Sequence, residues 1–331
     1  MEVFGLRRGV RKLGARLLRR ARRLARWPSG PVILMYHRIA QPSCDPWDLA
    51  VTPANFEAQM SWLGRRRTVL PLLEFEALHR KGRLPNDAAA ITFDDGYACN
   101  ALIAAPILAA YRLPATIFLT TGAVAATTEF WWDDLERIVT GAGAGRLGVS
   151  IGDEDYAFEL NEPVAGRPFS PDRAEAYTAL WRAMRPLDAP VRRSLLRDMA
   201  RHCGLETQGR AEYRTMTEAE ISRAAKSPWI SFGAHSVTHP ALSGLTADEQ
   251  RAEIETSRTA CASLTGVTPA AFAYPYGDYD DTTVELVREA GFTVAVTTDR
   301  GMVSERAQSL RLPRVQINDW PERKFAQAIS A

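Results

Sequence analysis

A chain of 331 residues, 46% hydrophobic and 24% charged, has a globular composition and enough length to bury one large core or two modest ones. Its four cysteines (Cys44, Cys99, Cys203, Cys261) are scattered without a C-x-x-C pair, which argues against a disulfide framework or a cysteine metal site and fits a reducing compartment. The formal charge of +2 hides a segregation: nine arginines, one lysine and one glutamate among residues 1–26 give +9 and leave −7 for the rest.

Within that basic arm, Leu6, Val10, Leu13, Leu17 and Leu24 recur at helical spacing, with arginines filling most of the remaining wheel. The pattern is that of a basic amphipathic helix suited to an anionic membrane surface; a surface helix or a basic tail would read the same way. Nucleic acid is not expected, because the body is acidic and no nucleic-acid motif accompanies the arm. No run approaches the ~18 apolar residues of a membrane span, and arginines interrupt any stretch that could serve as a secretory signal. The expected location is therefore cytoplasmic, peripheral at the inner membrane face. Trp27-Pro28-Ser29-Gly30-Pro31 stops the helix, so residues 1–30 form an arm and linker ahead of a domain at 31–331.

From there, short apolar runs alternate with helical patterns. Val32–Tyr36 predicts a buried strand; residues 56–66 and 72–79 predict helices. Ala88–Phe93 predicts a second strand, running into Asp94-Asp95-Gly96. A helix over 100–111, a strand at Ala115–Leu119 and strands at 229–233, 271–274, 292–297 and 311–317 follow, with helices at about 247–264 and 282–290. Such alternation predicts a parallel sheet, open or closed into a barrel. Residues from about 130 to 226 break it with a long helical pattern over 173–199, which predicts a helical insertion, either a lid or an oligomer contact.

Two clusters could carry chemistry. Asp94 and Asp95 lie side by side at the carboxyl end of a strand, where parallel α/β folds bind ligands. Adjacent carboxylates repel unless a cation or a shared proton stabilises them; a polar turn capping the next helix is the plain alternative. His235 and His239 stand at i and i+4, a spacing that puts both imidazoles on one face of a helical turn. Pro240 disfavours helical geometry just before it, so a single turn after a strand is expected. Two histidines and a carboxylate with a position open to water form a catalytic metal arrangement. The neighbouring carboxylate could then act as a base towards that water.

The run Thr92-Phe93-Asp94-Asp95-Gly96-Tyr97 and the run His235-Ser236-Val237-Thr238-His239-Pro240 resemble the first two motifs of the polysaccharide deacetylases of the NodB homology type, carbohydrate esterase family 4, across roughly residues 31–320. The resemblance implies a deformed (β/α) barrel carrying the insertion as an addition. It makes Asp94 the general base and Asp95, His235 and His239 ligands of a divalent metal, usually zinc. Phe272-Ala273-Tyr274-Pro275-Tyr276-Gly277 is similar to the third motif and would supply an oxyanion donor, the Tyr276 N–H. Two departures stand out. Ala273 occupies the place of an arginine that orients the base, with Arg314 in Leu312-Pro313-Arg314-Val315 as the candidate substitute. The late Leu-x-His motif that supplies the general acid is missing. Leu34-Met35-Tyr36-His37-Arg38 resembles instead the poly-N-acetylglucosamine deacetylase subgroup, whose acid histidine comes early. In a closed barrel the first and last strands are neighbours, so His37 can serve from the other end of the chain. His79 and His202 are expected to be structural or at the surface.

The implied function is metal-dependent removal of N-acetyl groups from an amino-sugar-containing glycan or glycolipid. Alternatives are an O-acetyl esterase or a non-sugar amidase on the same site, or a carbohydrate-binding protein that has lost catalysis.

Overall fold

Five consecutive apolar residues, all buried, form β1 (Val32–Tyr36), and a strand covered on both faces belongs to the interior of a parallel sheet. The computed structural model describes residues 30–163 and 169–329; the basic arm expected at 1–26 lies outside them. Two-residue strands β2 (Arg38–Ile39) and β3 (Ala50–Val51) pair at the rim, and β4 (Thr68–Val69) adds to the start of β5 (Ala88–Phe93). The sheet continues through β6 (Ala115–Leu119), β9 (Ile230–Ala234), β10 (Ala271–Ala273), β11 (Val294–Arg300) and β12 (Leu312–Gln316). Leu34 of β1 pairs with Val315 of β12 on one side and with Ile91 of β5 on the other, so the ring closes. Seven parallel strands in the order β1-β12-β11-β10-β9-β6-β5 make a (β/α) barrel. A register shift between Val296 and Arg300 deforms it where β11 meets β12.

Helices cover the barrel through apolar stripes. In α1 (Pro53–Arg66), Phe56, Met60 and Leu63 face the strands, with Pro53 at the first turn and the Thr52 hydroxyl accepting from the Asn55 N–H. Each such side chain contributes about 1.5–3 kcal/mol by leaving water, so Phe56→Ala would cost about 3–5 kcal/mol. The helix expected over 100–111 opens instead as a π-turn at Asn100–Ala104 before α3 (Ala105–Tyr111), α2 being Leu72–Arg80. The cause is Pro106, which has no N–H for an i−4 carbonyl; the Ala105 N–H bonds to Asn100 O one residue further back.

The insertion is not purely helical. α4 (Trp131–Gly141) leads into an antiparallel hairpin of β7 (Gly145–Ile151) and β8 (Glu154–Leu160), turning at Gly152-Asp153. Leu147, Val149 and Ile151 alternate with Arg146, Gly148 and Ser150, a period-2 signal hidden in a stretch that composition alone marks as glycine-rich and acidic. The helical pattern over 173–199 is two helices, α5 (Pro171–Met184) and α6 (Ala189–His202), because Pro186 cannot continue the first and Pro190 begins the second. These elements bury their own core, including Leu135, Ile138, Tyr177, Leu180 and Leu196. The chain is back on the barrel at Arg214, whose carbonyl accepts from the Ala98 N–H, and Ile221 of α7 (Glu218–Ala224) joins the main core.

Candidate active site

The carboxyl ends of the strands converge, and four of them carry expected residues: His37 follows β1, Asp94 and Asp95 follow β5, His235 follows β9 and Tyr276 follows β10. The loops turn there through left-handed backbone. Of the seven non-glycine residues with positive φ among the described residues, four are Asp95 (71°), Ser236 (61°), His239 (57°) and Tyr276 (57°). Such conformations cost free energy and persist where the surroundings enforce them, commonly at functional sites. Gly96 follows at φ 77°, and a Cβ there would stand 2.9 Å from Leu119 Cδ2. The helical turn expected for the histidine pair is absent. Ser236 and His239 instead take left-handed backbone on either side of a bend at Val237 and Thr238, and the imidazoles meet.

Asp95 Oδ1 lies 3.5 Å from His235 Nε2 and 3.4 Å from His239 Nε2, and the two Nε2 atoms are 3.2 Å apart. Ligands of one tetrahedral zinc, at bond lengths of about 2.0–2.1 Å, stand about 3.3 Å apart, so the spacing suits a single small cation. His235 Nδ1 is 2.7 Å from Ala273 O; a carbonyl only accepts, so Nδ1 carries the proton and Nε2 is left as a lone pair facing inward. Asp95 Oδ1 is buried without a hydrogen bond among the described residues. A buried, unpartnered carboxylate oxygen between two imidazoles is costly unless a cation completes it. Burial pulls both histidines down; Asp95 and Asp94 outweigh it at His235, which rises, while His235 and Arg192 push His239 lower still. The three residues fit a divalent metal.

Asp94 is engaged differently. Arg314, fully buried on β12, donates to it through two nitrogens at 2.7 and 2.6 Å and also reaches Thr297 O and Thr92 Oγ1. Burial by itself would raise the Asp94 carboxyl, but the Arg314 guanidinium, with His235 and His37 nearby, brings it down to about 2. Where Ala273 offers the Asp94 carboxylate no donor, Arg314 reaches it from β12, which lies between β1 and β11. His37 Nε2 stands 4.0 Å from Asp94 Oδ2, with a seventh of its side chain exposed (14%). The Tyr276 ring packs on His239 at 4.3 Å, its hydroxyl accepts from Trp131 Nε1 at 2.9 Å, and its own N–H has no protein acceptor among the described residues.

Several contributors were not singled out from sequence. Glu253, on α8 (Ala247–Thr265), accepts from the Val237 and Thr238 N–H groups at 2.7 and 2.9 Å and so braces the loop between the two histidines. From the insertion, Trp132 packs on His239 at 4.8 Å and donates to Tyr97 OH, which in turn donates to Asp133. Burial lifts the Asp133 carboxyl to about 7 against the pull of Arg38 and Tyr97. The run Trp131-Trp132-Asp133-Asp134 was a visible signal, paired aromatics beside paired carboxylates, but its position relative to the barrel was not.

Comparison with known proteins bears on the family and the fold. The family model described as polysaccharide deacetylase matches residues 81–144 and 200–295, leaving out a stretch that holds the hairpin, α5 and most of α6. YxkH of Bacillus subtilis (strain 168), whose name places it among polysaccharide deacetylases, is 23% identical over 88% of this chain and 72% of its own length. The poly-β-1,6-N-acetyl-D-glucosamine N-deacetylase of Escherichia coli (strain K12) is 26% identical over 92% of this chain, which spans only 39% of that protein. Among solved structures, the Streptococcus pyogenes deacetylase PplD, in complex with acetate, superposes with a TM-score of 0.59 at 20% identity, covering 92% of this chain and 100% of that one. Sequence motifs, closed barrel and family match converge on one assignment: the chain belongs to the polysaccharide deacetylase family.

Proposed function

We propose that the protein is a metal-dependent hydrolase that removes N-acetyl groups from an amino-sugar-containing glycan, with N-acetylglucosamine as the sugar. The observation that carries this is Asp95 Oδ1, buried and unpartnered between two imidazole nitrogens, with the Arg314-bound Asp94 beside it. Asp95, His235 and His239 would hold a divalent cation, zinc by the N2O donor set, and that cation would supply Lewis acidity towards the acetyl carbonyl and a water.

The chain's own residues would do the rest. Asp94, ionised throughout the neutral range, accepts the proton of the attacking water. A carboxylate brought down to about 2 is a weak base, so it works only on a water already acidified, which ties its role to the neighbouring ligand set. The free Tyr276 N–H donates to the oxygen that becomes negative as the carbonyl carbon turns tetrahedral. His37 donates a proton to the departing amine, a poor leaving group unless protonated. Arg314 holds Asp94 in place by a bidentate pair. One relative's name supports the sugar, the poly-β-1,6-N-acetyl-D-glucosamine N-deacetylase of Escherichia coli (strain K12). We place the protein at the cytoplasmic face of the membrane through the basic arm at 1–26, an assignment that lipid-vesicle flotation with and without those residues would check.

The test is metal analysis of the purified protein together with acetate release from oligomers of β-1,6-N-acetylglucosamine. About one equivalent of metal and activity lost to a chelator and restored by Zn²⁺ are expected. Acetate release from metal-free protein at an undiminished rate would end the proposal.

A further inference from the structure

A cavity of about 560 Å³ opens between the barrel rim and the insertion, on the far side of the loop that carries His235 and His239. Val237 and Thr238 of that loop form one wall; Phe130, Trp131 and α6 form the other. Its charged lining is Arg137, Arg192, Arg193 and Arg197 against Glu129 and Asp134, a net of +2 in a body that sums to −7 with these six charges included. Both acids are already engaged, Asp134 by Arg137 at 2.9 Å and Glu129 by Arg210 at 2.8 Å.

Arg192 is the unusual member. It is 3% exposed, and Asp188 attracts it only from beyond salt-bridge distance. One nitrogen donates to Arg185 O at 2.9 Å, the guanidinium lies 5.1 Å from the Trp131 ring centroid, and its Nε is buried without a partner. A buried, unpaired cation costs several kcal/mol unless something completes it. Closing the C-terminal end of α5 and stacking on Trp131 leave part of the donor fork unused, and an arginine fork fits a phosphate or a carboxylate in two-pronged fashion. The wall is shared with the site: Trp131 donates to Tyr276 OH, and the Phe130 ring is 6.4 Å from His239.

We infer that this cavity binds a phosphate group of the substrate, so that the acetylated sugar is presented as a phosphate or diphosphate ester with Arg192 as the principal ligand. With Arg137 paired to Asp134 and Arg197 to Asp198, Arg192 and Arg193 are the two cations of the lining left over, and two positive charges match a phosphate ester better than a single uronate carboxylate. The inference rests on the deacetylase reading for the identity of the sugar but not for the anion.

Isothermal titration of the metal-loaded, full-length protein tests it, using N-acetylglucosamine 1-phosphate and N-acetylglucosamine side by side. The phosphate ester should bind at least tenfold more tightly, with an affinity that falls as salt rises, and Arg192→Gln should remove most of that advantage. Because Arg192 also closes α5, Arg193→Gln on the exposed side is the second variant; it should lose about threefold with an unchanged melting temperature. Asp95→Asn separates the two readings, since it should abolish acetate release while keeping the phosphate preference. UDP-N-acetylglucosamine and a farnesyl diphosphate-linked N-acetylglucosamine in detergent distinguish a nucleotide from a lipid source, and a gain with either supports the site. Equal affinity for the two sugars, a preference that survives in both arginine variants, or glucuronate binding as tightly as the phosphate ester would overturn it.

Discussion

At the barrel rim, polar side chains are held by named partners: His235 by Ala273 O, Asp94 by Arg314, and the loop between the histidines by Glu253. Across from it, the insertion is held by its own apolar core and meets the site with aromatic rings and two guanidinium groups, Arg185 over Tyr276 and Arg192 over Trp131. The two regions accordingly do different work. A reacting group must keep its position within a fraction of an ångström, which backbone carbonyls and bidentate pairs provide. A surface that recognises a sugar needs area and shape, which tryptophans on helices provide. If this division holds, rim substitutions should depress turnover and insertion substitutions should weaken binding.

The largest expected effect is at Asp94. Asp94→Asn keeps the shape and loses the base, and should cut kcat by about 10²–10⁴ with little change in KM; steady-state acetate release measures it, and a mutant within threefold of wild type would break the assignment. His37→Ala should lower amide turnover by about 10², while hydrolysis of an aryl acetate, whose leaving group needs no proton, should fall far less. Equal losses on both would make His37 a structural residue, and no loss on either would favour an esterase. Next comes Glu253→Gln, which weakens the brace on Val237 and Thr238 without touching a ligand. Loss of such supporting contacts typically costs 10–100-fold in metal affinity, readable by competition with a chromophoric chelator.

How much of this division could be read from the chain follows the same line. The rim was legible because its chemistry is written locally: Asp94 and Asp95 end a buried strand, and the two histidines share one loop. Even the substitute arginine was visible as Arg314 on the last strand, since closure puts β12 beside β1. The geometry of the histidine loop differs from the expected helical turn, because i, i+4 spacing suggests a helix while Ser236 and His239 reach the same result through left-handed backbone. The insertion was opaque for a different reason. Its hairpin alternates only weakly, and the contacts of Trp132 with His239 or of Arg192 with Trp131 depend on how the added core docks, which no local pattern encodes.

Asp94 gives the rim a pH signature. Its folded carboxyl is near 2 against 3.8 for the ordinary group, a depressed acid, so the Arg314 pair contributes stability that is complete above about 4 and disappears as pH falls towards 2. The shift corresponds to about 2 kcal/mol. In urea titrations between pH 5 and 2, wild type should lose that much more stability than Asp94→Asn, and parallel curves would show that the pair adds nothing to folding.

The smallest effect belongs to the insertion. Trp181 on α5 lies 4.9 Å from the half-exposed Trp47 (39%), 6.0 Å from Trp131 and 5.9 Å from Tyr276, so a row of rings leads from solvent to the ring packed on His239. None of these rings can move a proton at neutral pH, and their value to a bound sugar is stacking area. One aromatic contact is worth about 0.5–1.5 kcal/mol, so Trp181→Ala should raise KM for an oligosaccharide roughly two- to tenfold and leave kcat within about twofold. A monosaccharide too short to reach Trp47 should feel the change less. If kcat falls instead while KM stays, the insertion is positioning the rim rather than holding substrate, and the two regions cannot be separated as chemistry and recognition.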